Sequence, residues 1–173
     1  MSALTIGYEV YESPFGLLLV AATPSGVCTV SLGADALKLE ATLRDRYPHA
    51  CLVRSETRCA GWGAELQRYF RQGGRLPSLP LDITGTSFQW RVWHALREIP
   101  AGTTQTYGQI AAQIGSPGAA RAVGQACGRN PVVVLIPCHR VINKNGTLGG
   151  FGCGLQYKAA LLEWERSWAC GQS

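Results

Sequence analysis

Two prolines and a glycine interrupt the chain between residues 75 and 86, in the segment RLPSLPLDITGT. Proline has no backbone N–H to donate to a sheet, and the apolar residues of the segment show no helical period. The segment therefore predicts a linker and a domain boundary. The 173 residues, of which 46% are hydrophobic, are enough for two small domains. We therefore expect a two-domain α/β protein, with one domain over residues 1–80 and the other over residues 87–170.

The first 80 residues have the pattern of a β-meander followed by helices. Three strand-like runs lie between residues 5 and 32, and clusters of proline, glycine and serine separate them. A helix is predicted from Ala34 to Tyr47, because apolar residues recur there every four positions. A second helix is predicted from Glu56 to Gln72, and two glycines end it.

The second domain is expected to begin with a helix and a helix-turn-helix pair. Ser87 is a suitable N-cap for a helix over Phe88–Ile99. A short helix over Tyr107–Ile114 follows, and Ser116-Pro117 is the expected start of a third helix that runs to about Cys127. Two short helices joined by a Gly-Ser-Pro turn are typical of a helix-turn-helix.

The remainder of the second domain combines a strand, a loop and a last helix. The composition of Pro131–Ile136 predicts a buried strand, and we expect the next residues to continue in an extended conformation. A glycine-rich loop spans Asn145–Gly154, and the last helix is predicted from Leu155 to about Trp168.

The excess of positive charge lies entirely in the second half. Residues 1–86 contain eight basic and eight acidic residues, whereas residues 87–173 contain eight basic and three acidic residues, which accounts for the net charge of +5. Of the 16 basic residues 13 are arginines, which suit phosphate and base contacts better than lysines do. Charge alone fits a polyanion partner and a solvated basic surface equally well.

The cysteine and histidine pattern indicates neither a metal site nor a disulfide framework. Seven cysteines form no CxxC pair, and only three histidines are present. The apolar stretch Phe15–Ala22 is too short for a membrane span, and Glu9 and Glu12 precede it where a signal peptide would be basic. We expect a cytoplasmic protein with no metal, no membrane association and no export signal.

The third helix of the second domain, GAARAVGQA over residues 118–126, is nearly smooth, and its single charged side chain is Arg121. Small residues permit tight packing on another helix, and they equally permit close contact with a DNA groove that is not read for sequence. In the second interpretation Arg121 is long enough to enter the base stack, as in enzymes that flip a nucleotide out of the duplex.

A possible nucleophile lies in the segment PCHRV, as Cys138 followed by His139. A thiol becomes a strong nucleophile as the thiolate, so it needs a basic or cationic partner. Adjacent side chains of an extended segment point to opposite sides, so His139 would reach the sulfur through a water or a local bend. Glu163 or Glu165 could orient the histidine. A Cys-His pair alone is also typical of structural residues.

Several motifs of the second half occur in one order, namely Tyr107, Arg121, Gly128-Arg129-Asn130-Pro131, Pro137-Cys138-His139-Arg140-Val141, Gly149-Gly150 and Leu161-Leu162-Glu163-Trp164-Glu165. Together they resemble the O6-alkylguanine-DNA alkyltransferases, the methylated-DNA–protein-cysteine methyltransferases. The resemblance is detailed from Ser87 to Glu165 and looser over residues 1–80. It implies a ribonuclease-H-like first domain, a winged-helix-like second domain with a helix-turn-helix, and a monomer that needs no cofactor.

The resemblance also implies roles for individual residues. Cys138 matches the alkyl acceptor, His139 the base that reaches it through water, and Glu165 the carboxylate that orients the base. The other catalytic residues it implies are Asn130, beside the thiol, and Tyr107, which stabilises the departing guanine. The residues assigned to DNA are Arg121, which replaces the flipped base, with Ala120, Ala122, Gly124 and Arg129. Those assigned to the substrate pocket are Tyr107, Phe151, Gly152 and the Val141 carbonyl, an acceptor for the guanine amino group.

The pocket loop departs from the family pattern at Phe151, at Gly152 and at Cys153, a second thiol near the pocket where many members have glycine. Phe151 keeps an aromatic ring but lacks the hydroxyl of the tyrosine found in many members, and Gly152 removes a possible hydroxyl donor. We expect this pocket to accept alkyl groups bulkier than methyl.

The resulting hypothesis is direct repair of O6-alkylguanine, and less efficiently O4-alkylthymine, in double-stranded DNA by irreversible, single-turnover transfer to Cys138. One alternative is a non-catalytic protein, either one that binds alkyl lesions or a regulatory DNA-binding protein. Another is a cysteine hydrolase that uses Cys138, His139 and Glu165 and turns over.

Overall fold

The computed structural model describes residues 4–171, which divide into two compact units at the junction of Ile83 and Thr84. This junction lies inside the segment 75–86. Within the described range the first unit contains four strands and two helices, and the second contains four helices, a 3₁₀ turn and two short strands. None of the helices in this range is both long and apolar enough to cross a membrane.

The first unit contains a sheet of four strands, which are β1 (Thr5–Ser13), β2 (Gly16–Thr23), β3 (Gly26–Gly33) and β4 (Cys51–Arg54). The strand order is β3-β2-β1-β4. The first three pair antiparallel, which confirms the predicted meander. Strand β4, which the sequence does not predict, has four residues and pairs parallel to β1 with Ile6 opposite Leu52.

Two helices complete the first unit, α1 (Ala36–Arg46) and α2 (Glu56–Gln72), and both match their predicted positions within two residues. The Asp35 carboxylate caps α1 by accepting hydrogen bonds from two backbone N–H groups of the first turn. Helix α2 ends at Gly73, whose φ of 67° lies in the left-handed region that glycine adopts readily. Leu39 and Leu43 of α1 pack into a core with strand residues of β1, β2 and β3.

The second unit begins with α3 (Ser87–Arg97), β5 (Gln105–Thr106) and α4 (Tyr107–Gln113). The predicted cap of α3 is wrong by one residue, because Thr86 and not Ser87 is the N-cap and forms a capping box with Gln89. Thr106 and Gln109 form a second capping box at the start of α4. Ser87 is instead the first residue of its helix.

Helix α5 (Ala120–Gly128) begins three residues later than the sequence indicates. Ser116-Pro117 does not cap it but lies in a turn, and Gly118 follows with a φ of 87°. A left-handed residue cannot continue a right-handed helix, so α5 starts only after it. Helices α4 and α5 pack against each other across this turn.

The predicted strand over Pro131–Ile136 is wrong. These residues are buried, as expected, but they form a compact turn closed by an isolated bridge between Val133 and Ile136. Val134 has a φ of 73°, a conformation that breaks an extended strand and is rare for a β-branched residue. The chain therefore reverses just before the segment that carries Cys138.

The expected extended conformation of PCHRV is also wrong, because Cys138–Arg140 form a 3₁₀ turn. Strand β6 (Val141–Ile142) follows and pairs parallel with β5. Helix α6 (Leu155–Cys170) is the predicted last helix, two residues longer than expected. The pairing of β5 with β6 brings the start of α4 beside the residues that follow Cys138.

Candidate active site

A cavity of about 790 Å³ opens in the second unit, between α4, α5, the Cys138 turn and the glycine-rich loop. Seven of the residues to which the resemblance assigns a role line it, namely Tyr107, Ala120, Arg121, Gly124, Cys138, Phe151 and Gly152. Residues from α4 to the loop after β6, more than 40 positions apart in sequence, therefore meet around one space.

Cys138 lies at the inner wall of this cavity and is only 5% exposed. Asn130, also buried, holds the turn around it. Its amide nitrogen donates to the Ile136 carbonyl at 2.7 Å and to the Cys138 sulfur at 3.2 Å, and its amide oxygen accepts from Val132 N–H at 3.0 Å. The thiol is thus fixed in position by the same side chain that fixes the reversed chain before it.

The environment of Cys138 favours the protonated thiol. Burial raises the pKa of Cys138 to about 11, although the hydrogen bond from Asn130 opposes that shift. At neutral pH the sulfur therefore carries its proton. A reaction at this sulfur requires a base that accepts the proton as the new bond forms.

His139 is the nearest candidate base in sequence, and it is 1% exposed. Its Nε2 lies 2.8 Å from Oε1 of Glu165. A carboxylate can only accept, so the proton is assigned to Nε2 and the neutral ring carries its lone pair on Nδ1. Nδ1 is buried and makes no hydrogen bond to any residue in the range 4–171. Burial lowers the pKa of His139, which favours the neutral ring.

Glu165, on α6, is 1% exposed and binds three partners. Besides His139, it accepts hydrogen bonds from Arg140 and from the backbone N–H of Gly102, the latter at 3.1 Å. Burial alone would raise the pKa of Glu165, but the hydrogen bonds from His139 and Arg140 lower it to about 2. The carboxylate is therefore ionised at neutral pH, and of the two glutamates proposed from sequence it is the one hydrogen-bonded to His139.

Arg140 was not identified from the sequence as a site residue. Its guanidinium is 4% exposed, makes a bidentate contact with Glu165 and donates through Nη1 to the Ile99 carbonyl at 2.6 Å. No periodicity or spacing marks this role, because the partners lie 25 and 41 positions away in sequence.

Lys158, on α6, was also missed, and it is fully buried. Its ammonium donates to the Val141 carbonyl at 2.6 Å and to the Gly150 carbonyl at 3.1 Å, and it lies 5.9 Å from the centre of the Tyr107 ring. Burial lowers the pKa of Lys158. The lysine thus ties the segment after Cys138 to the glycine-rich loop. A buried lysine is rare enough to be a signal, but its burial cannot be read from the sequence.

The Val141 carbonyl, predicted as an acceptor for a bound base, already accepts from Lys158, and Val141 itself is fully buried. A carbonyl oxygen has two lone pairs, so a second donor can still bind there. Four of the predicted site residues lie behind the cavity wall rather than on it, namely Val141, Asn130, His139 and Glu165.

Tyr107 lies at the start of α4 and faces the cavity. Burial raises the pKa of Tyr107 to about 12, so its hydroxyl remains protonated and can donate a hydrogen bond. The loop packs tightly against it: a side chain at Gly149 would place its Cβ 2.7 Å from the hydroxyl oxygen. Gly149 also has a φ of 72°, so both its conformation and its closeness to Tyr107 require glycine.

The small residues of α5 do not share one surface. Ala120 and Gly124 line the cavity together with the exposed side chain of Arg121. Ala122 and Arg129 line a separate cavity of about 600 Å³, beside the start of α3. The structure therefore divides the five residues assigned to DNA between two neighbouring surfaces of the second unit.

The remaining cysteines include one more thiol at the cavity. Cys127 lines it, whereas Cys153 is half-buried in the loop. Burial raises the pKa of Cys127 far above that of an ordinary thiol, which favours its protonated form. Among the side chains that the structure describes, which exclude those of residues 56–58 and 60, no three of His, Cys, Asp or Glu form a cluster that could hold a metal ion.

Replacement of Lys158 by methionine tests its role as a tie between two segments. Two carbonyls lose a donor, and a hydrogen bond from a charged group is worth about 1.5–3 kcal/mol. We expect amide hydrogen exchange at residues 149–152 to accelerate by at least about tenfold. Lys144→Met, at an exposed lysine of the same cavity, is the matched control and should leave that exchange unchanged. Equal exchange in both variants would contradict the role.

Comparisons with known proteins agree on one family. The family model described as "6-O-methylguanine DNA methyltransferase, DNA binding domain" matches residues 87–167. A methylated-DNA–protein-cysteine methyltransferase of Mycobacterium tuberculosis is 43% identical over 164 residues, which cover 94% of this chain and 93% of the relative. The bifunctional transcriptional activator/DNA repair enzyme Ada of Escherichia coli is 40% identical over 94% of this chain, which spans 46% of that longer protein.

A solved structure shows the same mixed α/β fold. The crystal structure of the Mycobacterium tuberculosis OGT in complex with DNA superimposes with a TM-score of 0.77 at 40% sequence identity, and the match covers 93% of both chains.

Proposed function

This chain belongs to the methylated-DNA–protein-cysteine methyltransferase family, and from that premise we propose that it repairs DNA by taking an alkyl group from O6 of guanine onto its own Cys138. One observation carries the proposal. Cys138 faces a cavity lined by α5, while Asn130, His139 and Glu165 form a hydrogen-bonded support behind it.

The transfer step follows from the protonation states. The Cys138 proton passes, through an intervening water, to Nδ1 of His139, and the resulting thiolate attacks the alkyl carbon. A carbon–sulfur bond forms as the bond from that carbon to O6 breaks, and the guanine leaves with the electron pair. The Tyr107 hydroxyl donates to the leaving base, which finally takes up the thiol proton. The thioether product is stable, so each molecule acts once.

Access to the lesion requires a flipped nucleotide, because Cys138 is only 5% exposed at the inner wall of its cavity and a base stacked in the duplex cannot reach it. We assign Arg121 to the space left by the flipped base, and Ala120 and Gly124 to close contact with the groove. Ala122 and Arg129 contact the DNA from the neighbouring cavity. Phosphate contacts would supply most of the affinity, so binding should weaken steeply with salt.

The pocket residues set which lesions are accepted. Phe151 and Gly152 leave room for groups bulkier than methyl, and the second lone pair of the Val141 carbonyl is available to the guanine amino group. O4-alkylthymine is assigned as a poorer substrate.

The finer fold and the assembly are part of the same proposal. We assign residues 1–80 to a ribonuclease-H-like domain and residues 87–170 to a winged-helix-like domain. The protein acts as a monomer in the cytoplasm, without a cofactor.

Replacement of Arg121 by alanine tests base flipping. Without this side chain the flipped state loses its substitute in the stack, which is worth a few kcal/mol, so repair in duplex DNA should slow by about 10²-fold. Reaction with free O6-benzylguanine, which needs no flipping, should change by less than about threefold. Both rates come from the alkylated fraction of protein with time. Equal loss on the two substrates would remove Arg121 from the flipping step.

The experiment that tests the proposed function is intact-mass measurement after mixing the protein with duplex DNA that bears one O6-methylguanine. We expect one methyl per protein, located by peptide mapping on the peptide that holds Cys138. Binding of the lesion without a mass change would favour a non-catalytic DNA-binding protein. Continued product formation beyond one equivalent would favour a cysteine hydrolase.

A further inference from the structure

The Glu165 carboxylate is shared between His139 and Arg140. We propose that Arg140 is a positioning residue for the transfer reaction: it fixes Glu165 in place and balances its charge, so that His139 stays a neutral base. This inference rests on the proposed function and deepens it, since it assigns the buried arginine a part in the chemistry at Cys138.

The geometry shows that Arg140 determines where Glu165 lies. Arg140 Nε donates to both carboxylate oxygens, at 3.1 and 3.0 Å, and Nη2 donates to Oε1 at 2.8 Å. The other edge of the guanidinium is held by the Ile99 carbonyl at 2.6 Å. A planar group fixed at two edges leaves the carboxylate a single orientation. His139 contributes one contact to the same carboxylate, to Oε1.

The charges explain why the arginine is needed. An isolated carboxylate beside a buried histidine favours the imidazolium ion, and an imidazolium cannot accept the thiol proton. Arg140 cancels the charge of Glu165, so the carboxylate still accepts from Nε2 but no longer pulls a proton onto Nδ1. The pKa of His139 follows this balance: burial lowers it, Glu165 raises it, and the charge of Arg140 lowers it again.

The other charged groups around His139 either lower its pKa, as Arg140 does, or are too exposed to shift that pKa. Lys158, the second buried cation on α6, also lowers the pKa of His139. On α3, which packs against the 3₁₀ turn, the basic side chains of Arg91, His94 and Arg97 are exposed. On α6 the remaining charged side chains, those of Glu163 and Arg166, are exposed as well.

The test is the pH dependence of alkyl transfer to free O6-benzylguanine for wild type, Arg140→Met and Arg140→Lys. Wild type should keep its rate as the pH falls below the ordinary histidine range near 6.5. In Arg140→Met the acidic limb should move to higher pH, and its rate should fall about tenfold for each pH unit below the new pKa. Arg140→Lys keeps the positive charge, so the acidic limb of its pH–rate profile should stay near that of wild type, although its transfer rate falls at every pH.

A purely structural role predicts a different result. If Arg140→Met lowers the rate by one constant factor at every pH, the proposal is overturned. The nitrogen chemical shifts of His139 in the wild-type protein provide a readout that needs no variant to fold: a ring already protonated at pH 6.5 would also overturn it. Absence of any transfer by wild type would instead count against the proposed function itself.

Discussion

A Cys138→Ser protein should bind duplex DNA as the wild type does and transfer no alkyl group. A serine hydroxyl is far less acidic than a thiol, and its oxygen is a poorer nucleophile toward a saturated carbon. We expect the transfer rate to fall by on the order of 10⁴ or more. The salt dependence of DNA binding should be unchanged, because no charge is altered. Intact mass and a DNA-binding titration on the same sample measure both quantities.

Cys127→Ser is the matched control, since Cys127 lines the same cavity and has an even less acidic thiol. It should still take up one methyl per protein. A methylated Cys138→Ser protein would show that another residue is the acceptor and would contradict the assignment.

Replacement of Glu165 by glutamine should damage both stability and reaction. The change leaves the Arg140 guanidinium buried without its carboxylate, and breaking a buried ion pair in this way costs about 3–5 kcal/mol. The tautomer of His139 is no longer set by a carboxylate, so the transfer rate should fall by about 10²–10⁴. Urea denaturation gives the first quantity and single-turnover transfer the second.

The Glu165→Gln variant should also lose the part of the acid dependence of the unfolding free energy that Glu165 contributes. The pKa of Glu165 is about 2 in the folded protein and about 4.3 in an unfolded chain. Its stabilisation is therefore complete above the unfolded value and is lost as the pH falls through about 2. Glu165→Gln should lack this part of the acid dependence. Glu163→Gln, at an exposed site of the same helix, should keep it and change stability by no more than about 0.5 kcal/mol.

Elements with local signals could be predicted from the sequence. Helix α2 was predicted with its observed bounds, because an apolar stripe ends there at a glycine. Helix α4 begins at Tyr107, the residue predicted for its start. The start of α5 was not predicted correctly, since Ser116-Pro117 is an equally good signal for a turn, and only the left-handed Gly118 decides between the two.

Features that depend on distant partners could not be predicted. Strand β4 exists because β1 offers it a parallel partner, and the composition of four residues does not reveal that. The apolar run before Cys138 is buried as expected, but Val134 turns it back on itself instead of extending it. Arg140 and Lys158 gain their roles only through the partners that folding brings to them.

The candidate site itself was mostly anticipated through the resemblance of its motifs. Seven of the residues that line the cavity are among those to which the resemblance assigns a role, and the pairing of His139 with one of two glutamates is also predicted. The sequence predicts a base beside a thiol on an extended segment, whereas Cys138–Arg140 form a 3₁₀ turn. The 3₁₀ turn places Cys138 and His139 differently from an extended strand, and in this arrangement Nδ1 has no protein partner within residues 4–171.

The Asn130 amide donates two hydrogen bonds, to the Ile136 carbonyl and to the Cys138 sulfur, and these have a consequence for the protein after repair. The alkyl group bonded to this sulfur adds volume beside the Asn130 amide, which lies 3.2 Å from the sulfur, so alkylation strains this hydrogen bond first. The side chain that presents the sulfur is also the one that closes the chain reversal after α5. We therefore expect the alkylated protein to unfold locally at this turn before it unfolds elsewhere. A protease can recognise this difference from the unreacted protein.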